Sequence, residues 1–277
     1  MSVSQPTAAT RPSPHGLGRA SADSATELPT LWHFRISHYN EKARWALDWK
    51  QLPHRRRALV PGPHLPRMLW ESGQKKVPAL RLDGETIVDS TRIIAALEAR
   101  HPDPSLYPAD PTARARALAL EDYFDEELGP HIRRFFFHHL LQDAAAAVAT
   151  LAVDEPPLTH LLYRAAFPLV RTVMRLDMGI DDAGAAASAV RVAAALTRLE
   201  GELQPSGYLV GDAFSVADLT AAALFGPLVR ADEFPYRLPP LVPVLANWRA
   251  SMIDRPGLQW AHTMYRRHRG RSAEVIA

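Results

Sequence analysis

The 277-residue chain contains no cysteine. Disulfides, thiolate–zinc centres, a cysteine nucleophile and thiol–disulfide exchange by the protein itself are therefore excluded. Lysine is scarce: Lys42, Lys50, Lys75 and Lys76 are the only ones among 32 basic residues. That bias towards arginine, with the many alanines, is the usage of a GC-rich bacterial genome. Neither sign of charge is in excess. A formal net charge of +2 gives no footing for nucleic-acid binding. Long apolar runs are missing as well. The longest, at 144–153, is interrupted by Thr150 and is too short to cross a bilayer. Residues 1–28 have no apolar signal core. They read as a disordered leader, and the protein as cytoplasmic with no membrane partner.

What is present begins at residues 31–50. Trp32, Phe34 and Ile36 alternate with His33 and Arg35, the period of a strand. The period then changes: Tyr39, Ala43, Ala46 and Leu47 form one helical stripe, with Glu41, Lys42, Arg44 and Asp48 off it. Ser37 stands at the hinge, a residue type that caps helices. The positive end of a helix dipole stabilises anions, thiolates included. Further on, residues 55–60 read as a short edge strand and 65–72 as a turn or two of helix. Asp83-Gly84 joins strands 78–82 and 85–88 in a hairpin, and Asp89-Ser90 opens a helix striped by Ile93, Ile94 and Leu97.

Residues 104–111 have linker composition, and beyond them strand signals stop. Helices are predicted at 112–128, 130–153, 158–176, 185–203, 215–229 and 241–253, the third carrying Pro168. Ser215 and Asp218 have capping-box spacing. The expected fold class is α/β + all-α, an N-terminal domain with a small mixed α/β sheet followed by an all-helical C-terminal domain. The expected divisions are a leader at 1–28, the first domain at 29–107, a linker at 108–112, helices at 113–265 and a solvated basic tail at 266–277.

Four stretches in this order resemble the glutathione transferase superfamily. Ser37-His38-Tyr39 with Arg44 is similar to the opening of that family's first helix. Val77-Pro78-Ala79-Leu80 resembles the start of its third strand, Asp89-Ser90 its acid–serine pair, and residues 209–218 its folding motif in the helical domain. The resemblance implies that the first domain is thioredoxin-like and that the protein is a serine-type cytosolic glutathione transferase, with glutathione as co-substrate, a small apolar electrophile as second substrate, and a homodimer. It implies that Ser37 donates a hydrogen bond to the glutathione thiolate. It implies that Val77 pairs with the peptide backbone beside a cis bond to Pro78. Asp89 would face the γ-glutamyl ammonium, and Ser90 its carboxylate. For the glycyl carboxylate, His64 and Lys76 are the candidates, beside Arg67 and Lys75. His38 stands where the family has proline, so His38 and Tyr39 are alternatives for contacting the sulfur. Serine at this position argues against thiol-transferase classes. Glutathione-dependent isomerisation, ether or halide cleavage, and non-catalytic binding remain alternatives.

Tyr39, Tyr123, Phe124, Phe135 and Phe136 are candidates for the electrophile pocket, and core packing is the alternative for the aromatic residues of the helical domain. Glu121, Asp122, Asp125, Glu126 and Glu127, with His131, His138 and His139, are the one dense carboxylate–imidazole set. Gly129-Pro130 breaks the helix between its halves, so a solvated acidic face is expected and no metal site.

Overall fold

The computed structural model describes residues 27–276. The predicted leader lies almost wholly outside the described residues. The first domain is a four-stranded sheet of order β2-β1-β3-β4, with β1 (Thr30–His33), β2 (Arg55–Ala58), β3 (Ala79–Leu82) and β4 (Glu85–Val88). β1 runs parallel to β2 and antiparallel to β3, and β3–β4 is the hairpin. Both turn residues, Asp83 and Gly84, have positive φ (51° and 81°), which the Asp-Gly pair tolerates. Side chains alternate across the sheet. Leu31, Leu80 and Ile87 face α1 (His38–Trp49) and α3 (Ser90–Arg100); Trp32, Ala79 and Val88 face Met68 of α2 (His64–Ser72). This is the thioredoxin-like arrangement.

The second domain is helical. α4 (Pro111–Glu127) and α5 (Gly129–Leu140) meet at Gly129, and α8 (Asp182–Glu202) packs along α5. At its centre α9 (Val216–Leu224) is buried at every residue and touches α1, α4 and α12 (Pro256–His268). The capping box that starts α9 is complete. Asp218 accepts from the Leu209 and Ser215 N–H groups at 2.8 and 2.9 Å. Between α5 and α8, α6 (Ala144–Leu151) and α7 (Pro157–Asp177) build a satellite core with Leu140, Tyr163 and Phe167. Among the described residues no helix is long and apolar enough to cross a membrane.

Four expectations are corrected. The strand predicted through Ile36 ends at His33. Residues 130–153 are two helices, α5 and α6, because Asp143 caps a new start by accepting from Ala146 N at 3.0 Å. Residues 215–229 likewise divide at Gly226 into α9 and the single turn α10 (Gly226–Val229). Finally, the helix predicted at 241–253, expected to be the last because Arg255-Pro256-Gly257 follows it, is α11 (Pro243–Ala250), and α12 comes after it. Pro256 is the first residue of α12, where its missing N–H costs nothing.

The tail after α12 is docked rather than solvated. Arg269 is 2% exposed and bridges Glu41 and Asp48 of α1 at 2.5 and 2.7 Å. Beyond it Ala273 N donates to Asp48 Oδ1, and Val275 N donates to the His54 carbonyl.

Candidate active site

Ser37 is the N-cap of α1, its Oγ accepting from Asn40 N at 3.4 Å. A second bond was not foreseen: Asn40 Nδ2 donates to the same oxygen at 2.6 Å, while Asn40 Oδ1 accepts from Phe34 N at 3.2 Å. A hydroxyl has two acceptor sites and one hydrogen. With both acceptor sites occupied, the Ser37 hydrogen is left to donate into the adjoining cleft. Asn40 lies three residues after Ser37, at capping-box spacing, and that was the signal available in the sequence.

The loop carrying Ser37 is held from behind by Arg44. Its guanidinium, fully buried, donates to the carbonyls of Phe34 and Arg35 at 3.1 and 3.0 Å and to Glu41 at 2.8 Å. Phe234 and Tyr236 stack over it.

The two alternatives to Ser37 have their polar atoms committed elsewhere. His38 Nε2 donates to the Gly129 carbonyl at 3.1 Å, and burial pushes its pKa down to about 3, so the ring is neutral. Tyr39 donates its hydroxyl to the Asp125 carbonyl at 2.7 Å, and burial pushes its pKa up. Tyr39 still lines the cleft. Its hydroxyl lies 2.1 Å from where a Cβ on residue 129 would stand, so that position admits only glycine.

Val77, Pro78, Asp89 and Ser90 line the same cleft as Ser37, a space of about 840 Å³ between the two domains. The Val77–Pro78 peptide is cis. Among the described residues, the Val77 N–H and C=O have no backbone partner. Asp89 has φ +92°, an uncommon backbone state for a residue with a Cβ. Its Oδ1 caps α3 through Thr91 N (3.0 Å) and Arg92 N (3.3 Å), leaving Oδ2 for the cleft.

Of the basic candidates, Lys76 and His64 line the cleft. His64 is unsuited to a carboxylate: Nδ1 accepts from Gly62 N and Nε2 donates to the Lys75 carbonyl, both at 3.0 Å. Burial lowers its pKa too. Arg67 pairs with Glu71 and Lys75 with Asp177. Of Arg67, Lys75 and Lys76, Lys76 alone has no ion-pair partner among the described residues.

Tyr123 and Phe124 are not in the cleft. Phe124 is fully buried against Phe225, and Tyr123 packs beside it under Arg198. Of the other aromatic candidates Tyr39 and Phe136 line the cleft, while Phe135 packs on Trp248. The cleft wall beyond Ser37 is Ile36, Phe136, Phe137, Leu140 and Leu151, with Val173 and Met174 of α7 and Met178 just past its end. Arg133 also lines it, its Nε buried without a hydrogen-bond partner. Nothing in the sequence marked Arg133.

The acidic set divides: Asp122 and Glu126 are exposed as expected, whereas Glu121 and Asp125 turn inwards. Lys42, buried in α1, reaches Glu121 at 2.8 Å, Asp125 at 2.5 Å and Thr91 Oγ at 2.9 Å. Glu121 accepts no well-directed hydrogen bond, and burial pushes its carboxyl above the usual range. Among the described residues no group of three or more His, Asp or Glu has the arrangement of a metal site.

Two family models match in order: Glutathione S-transferase, N-terminal domain, at residues 31–105, and Glutathione S-transferase, C-terminal domain, at 158–256. The chain belongs to the glutathione transferase superfamily. Within it, a solved beta-etherase from Sphingobium is similar at 21% identity and TM-score 0.57, covering 85% of this chain and 98% of that one. A theta class glutathione S-transferase from Xanthomonas axonopodis, solved with glutathione bound, has 21% identity and TM-score 0.51 over 83% and 95%. At such identities these neighbours speak for the fold. A curated relative, probable maleylacetoacetate isomerase 1 of Drosophila melanogaster, is 50% identical over 42 residues. That stretch is 15% of this chain and spans only 17% of the isomerase's length.

Proposed function

We propose that the protein binds glutathione in the interdomain cleft and activates its thiol for attack on a small, largely apolar electrophile. The observation that carries this reading is the Ser37 hydroxyl. Both its acceptor sites are held by Asn40 at the N-terminus of α1, which leaves the hydrogen for an anion in the cleft. A thiolate placed there gains a charge-assisted hydrogen bond and the favourable end of the helix dipole, and both lower its pKa. As glutathione binds, the thiol proton leaves to solvent. The sulfur lone pair then forms the bond to carbon, and either a leaving group departs with its electrons or water returns a proton to an addition product.

In this pose Val77 pairs with the tripeptide backbone through its unengaged N–H and C=O. The free oxygen of Asp89 takes the γ-glutamyl ammonium, and Ser90, at the start of α3, takes the γ-glutamyl carboxylate. Lys76 takes the glycyl carboxylate in place of His64. The electrophile occupies the wall of Phe136, Phe137, Leu140, Met174 and Met178. We further infer a cytoplasmic homodimer; a scattering mass equal to the single 30.7 kDa chain would refute the dimer.

Calorimetric titration with glutathione tests the reading: binding between micromolar and low millimolar is expected, and no binding overturns it. The second reading is a glutathione-dependent isomerase, favoured by the local match to maleylacetoacetate isomerase. Product analysis decides between the two, since isomerisation returns glutathione and conjugation consumes it.

A further inference from the structure

Helix α7 is apolar on two opposite faces. Its inner face buries Tyr163 and Phe167, with Val170 and Met174 beside them packing on α6 or lining the cleft. At about 100° per residue, the face turned the other way carries Leu158, Leu161, Leu162, Leu169, Val173 and Leu176. These are 53–79% exposed. Such a face, continuous over a 21-residue helix, exceeds the scattered apolar residues of an ordinary surface.

Along one flank run Arg164, Arg171 and Arg175, at i, i+7 and i+11. Among the described residues Arg164 and Arg171 have no carboxylate within ion-pair distance, and Arg175 donates to the Ile180 carbonyl. The helix has one carboxylate, Asp177, already held by Lys75 at 2.5 Å. Across the cleft mouth α2 exposes Leu69 at 57% and Trp70 at 86%.

We propose that α7 lies on an anionic lipid surface, its leucines in the boundary between headgroups and acyl chains and its arginines among the phosphates. Among the described residues no helix is long and apolar enough to cross a bilayer, but lying on one needs no such run. Charge decides between lipid and a second copy of the chain. Two α7 helices paired antiparallel about a two-fold axis would set both arginine rows on the same side, next to each other. Paired parallel, each row would meet the other flank, with Thr159, Ala166 and the already engaged Asp177. Neither arrangement supplies counter-charge, whereas lipid phosphates do. Val173 belongs to both the exposed face and the cleft wall, so the cleft would open beside the bilayer, where apolar electrophiles concentrate.

The test is flotation of the full chain with vesicles of phosphatidylglycerol and phosphatidylcholine, against phosphatidylcholine alone, at low and high salt. Binding to the anionic vesicles is expected, weakened by salt. Arg164→Ser/Arg171→Ser should weaken it about fivefold per arginine. Leu162→Glu/Leu169→Glu should abolish it, and because these side chains are exposed the melting temperature should not fall. Absent binding of the unaltered chain to anionic vesicles overturns the proposal, as does binding that both variants retain. A multi-chain scattering mass that collapses to one chain in the double glutamate variant also overturns it and gives the face to a second copy.

Discussion

Replacing Ser37 by alanine removes the one hydroxyl hydrogen that the Asn40 clamp leaves for the cleft. A hydrogen bond to an anion contributes about 1.5–3 kcal/mol. At about 1.4 kcal/mol per pKa unit, the bound glutathione thiol should therefore rise by about one to two units. At neutral pH the thiolate fraction, and turnover with it, should fall tenfold or more. Affinity should change little, because Val77, Asp89, Ser90 and Lys76 are untouched. Stability has a separate cost. Asn40 is 1% exposed and would lose the acceptor for both its backbone N–H and its Nδ2. Buried donors left unpaired, together with a lost N-cap, cost about 1–3 kcal/mol. Melting must therefore be followed beside activity. The assay is thiolate absorbance of bound glutathione against pH in the unaltered protein, Ser37→Ala and Ser37→Thr. The threonine variant keeps a hydroxyl and should titrate near the original. An alanine variant that titrates like the unaltered protein would refute the role of Ser37 and leave the helix terminus alone holding the sulfur.

Three further outcomes follow from the same geometry. Lys42→Met strips Glu121 and Asp125 of their buried cation and should cost about 3–5 kcal/mol in denaturant unfolding, with the deficit shrinking at acidic pH as Glu121 takes up a proton. Gly129→Ala places a Cβ 2.1 Å from the Tyr39 hydroxyl and should cost about 1–3 kcal/mol as overpacking; added to Tyr39→Ala, the same change should cost far less, which a double-mutant cycle measures. His38, neutral in the fold with a pKa of about 3, binds a proton more readily when unfolded. The stability it confers is full above about pH 6.5 and is lost as pH falls from there towards 3, at up to about 1.4 kcal/mol per unit. Melting of His38→Gln should be correspondingly less acid-sensitive than that of the unaltered chain, and equal slopes would remove His38 from the account.

Local features were legible in the sequence because their causes are local. Ser37 caps α1, Asp83-Gly84 turns the hairpin and Asp218 closes the capping box, each within about four residues of its partner. The helix at 256–268 was missed for a local reason as well: Pro-Gly was read as a stop when proline was serving as a first residue. Tyr39 and Phe136 do line the cleft as expected, whereas Tyr123 and Phe124 do not, because the residues of the apolar wall meet only in three dimensions. Tyr123 and Phe124 are as aromatic as Phe136 and Phe137, and only the packing of α9 under α4 decides which pair is core. Arg133 had no signal, since what distinguishes it is a neighbourhood supplied by α1 and α5 together.

The largest departure concerns α1. Its wheel puts Glu41, Lys42, Arg44 and Asp48 away from the apolar stripe, and such residues normally face water. Here all four are buried, because three separate parts of the chain close over that side. α4 brings Glu121 and Asp125 to Lys42. β2 brings Arg56 to Asp48, and the tail beyond α12 brings Arg269 to Glu41 and Asp48. Desolvating this many charges costs several kcal/mol each before pairing, so apolar side chains would stabilise the same interface more simply. Apolar contacts, however, are non-directional and would let the two domains slide. Here ion pairs of fixed geometry join α4 to α1 through Lys42, Glu121 and Asp125, and Asp125 also lines the cleft. The same network reaches the loop that carries Ser37. Arg269 holds Glu41, Glu41 holds Arg44, and Arg44 holds the carbonyls of the loop that ends at Ser37. The position of the hydroxyl therefore depends on a residue 232 places further along the chain, a dependence that no helical wheel displays.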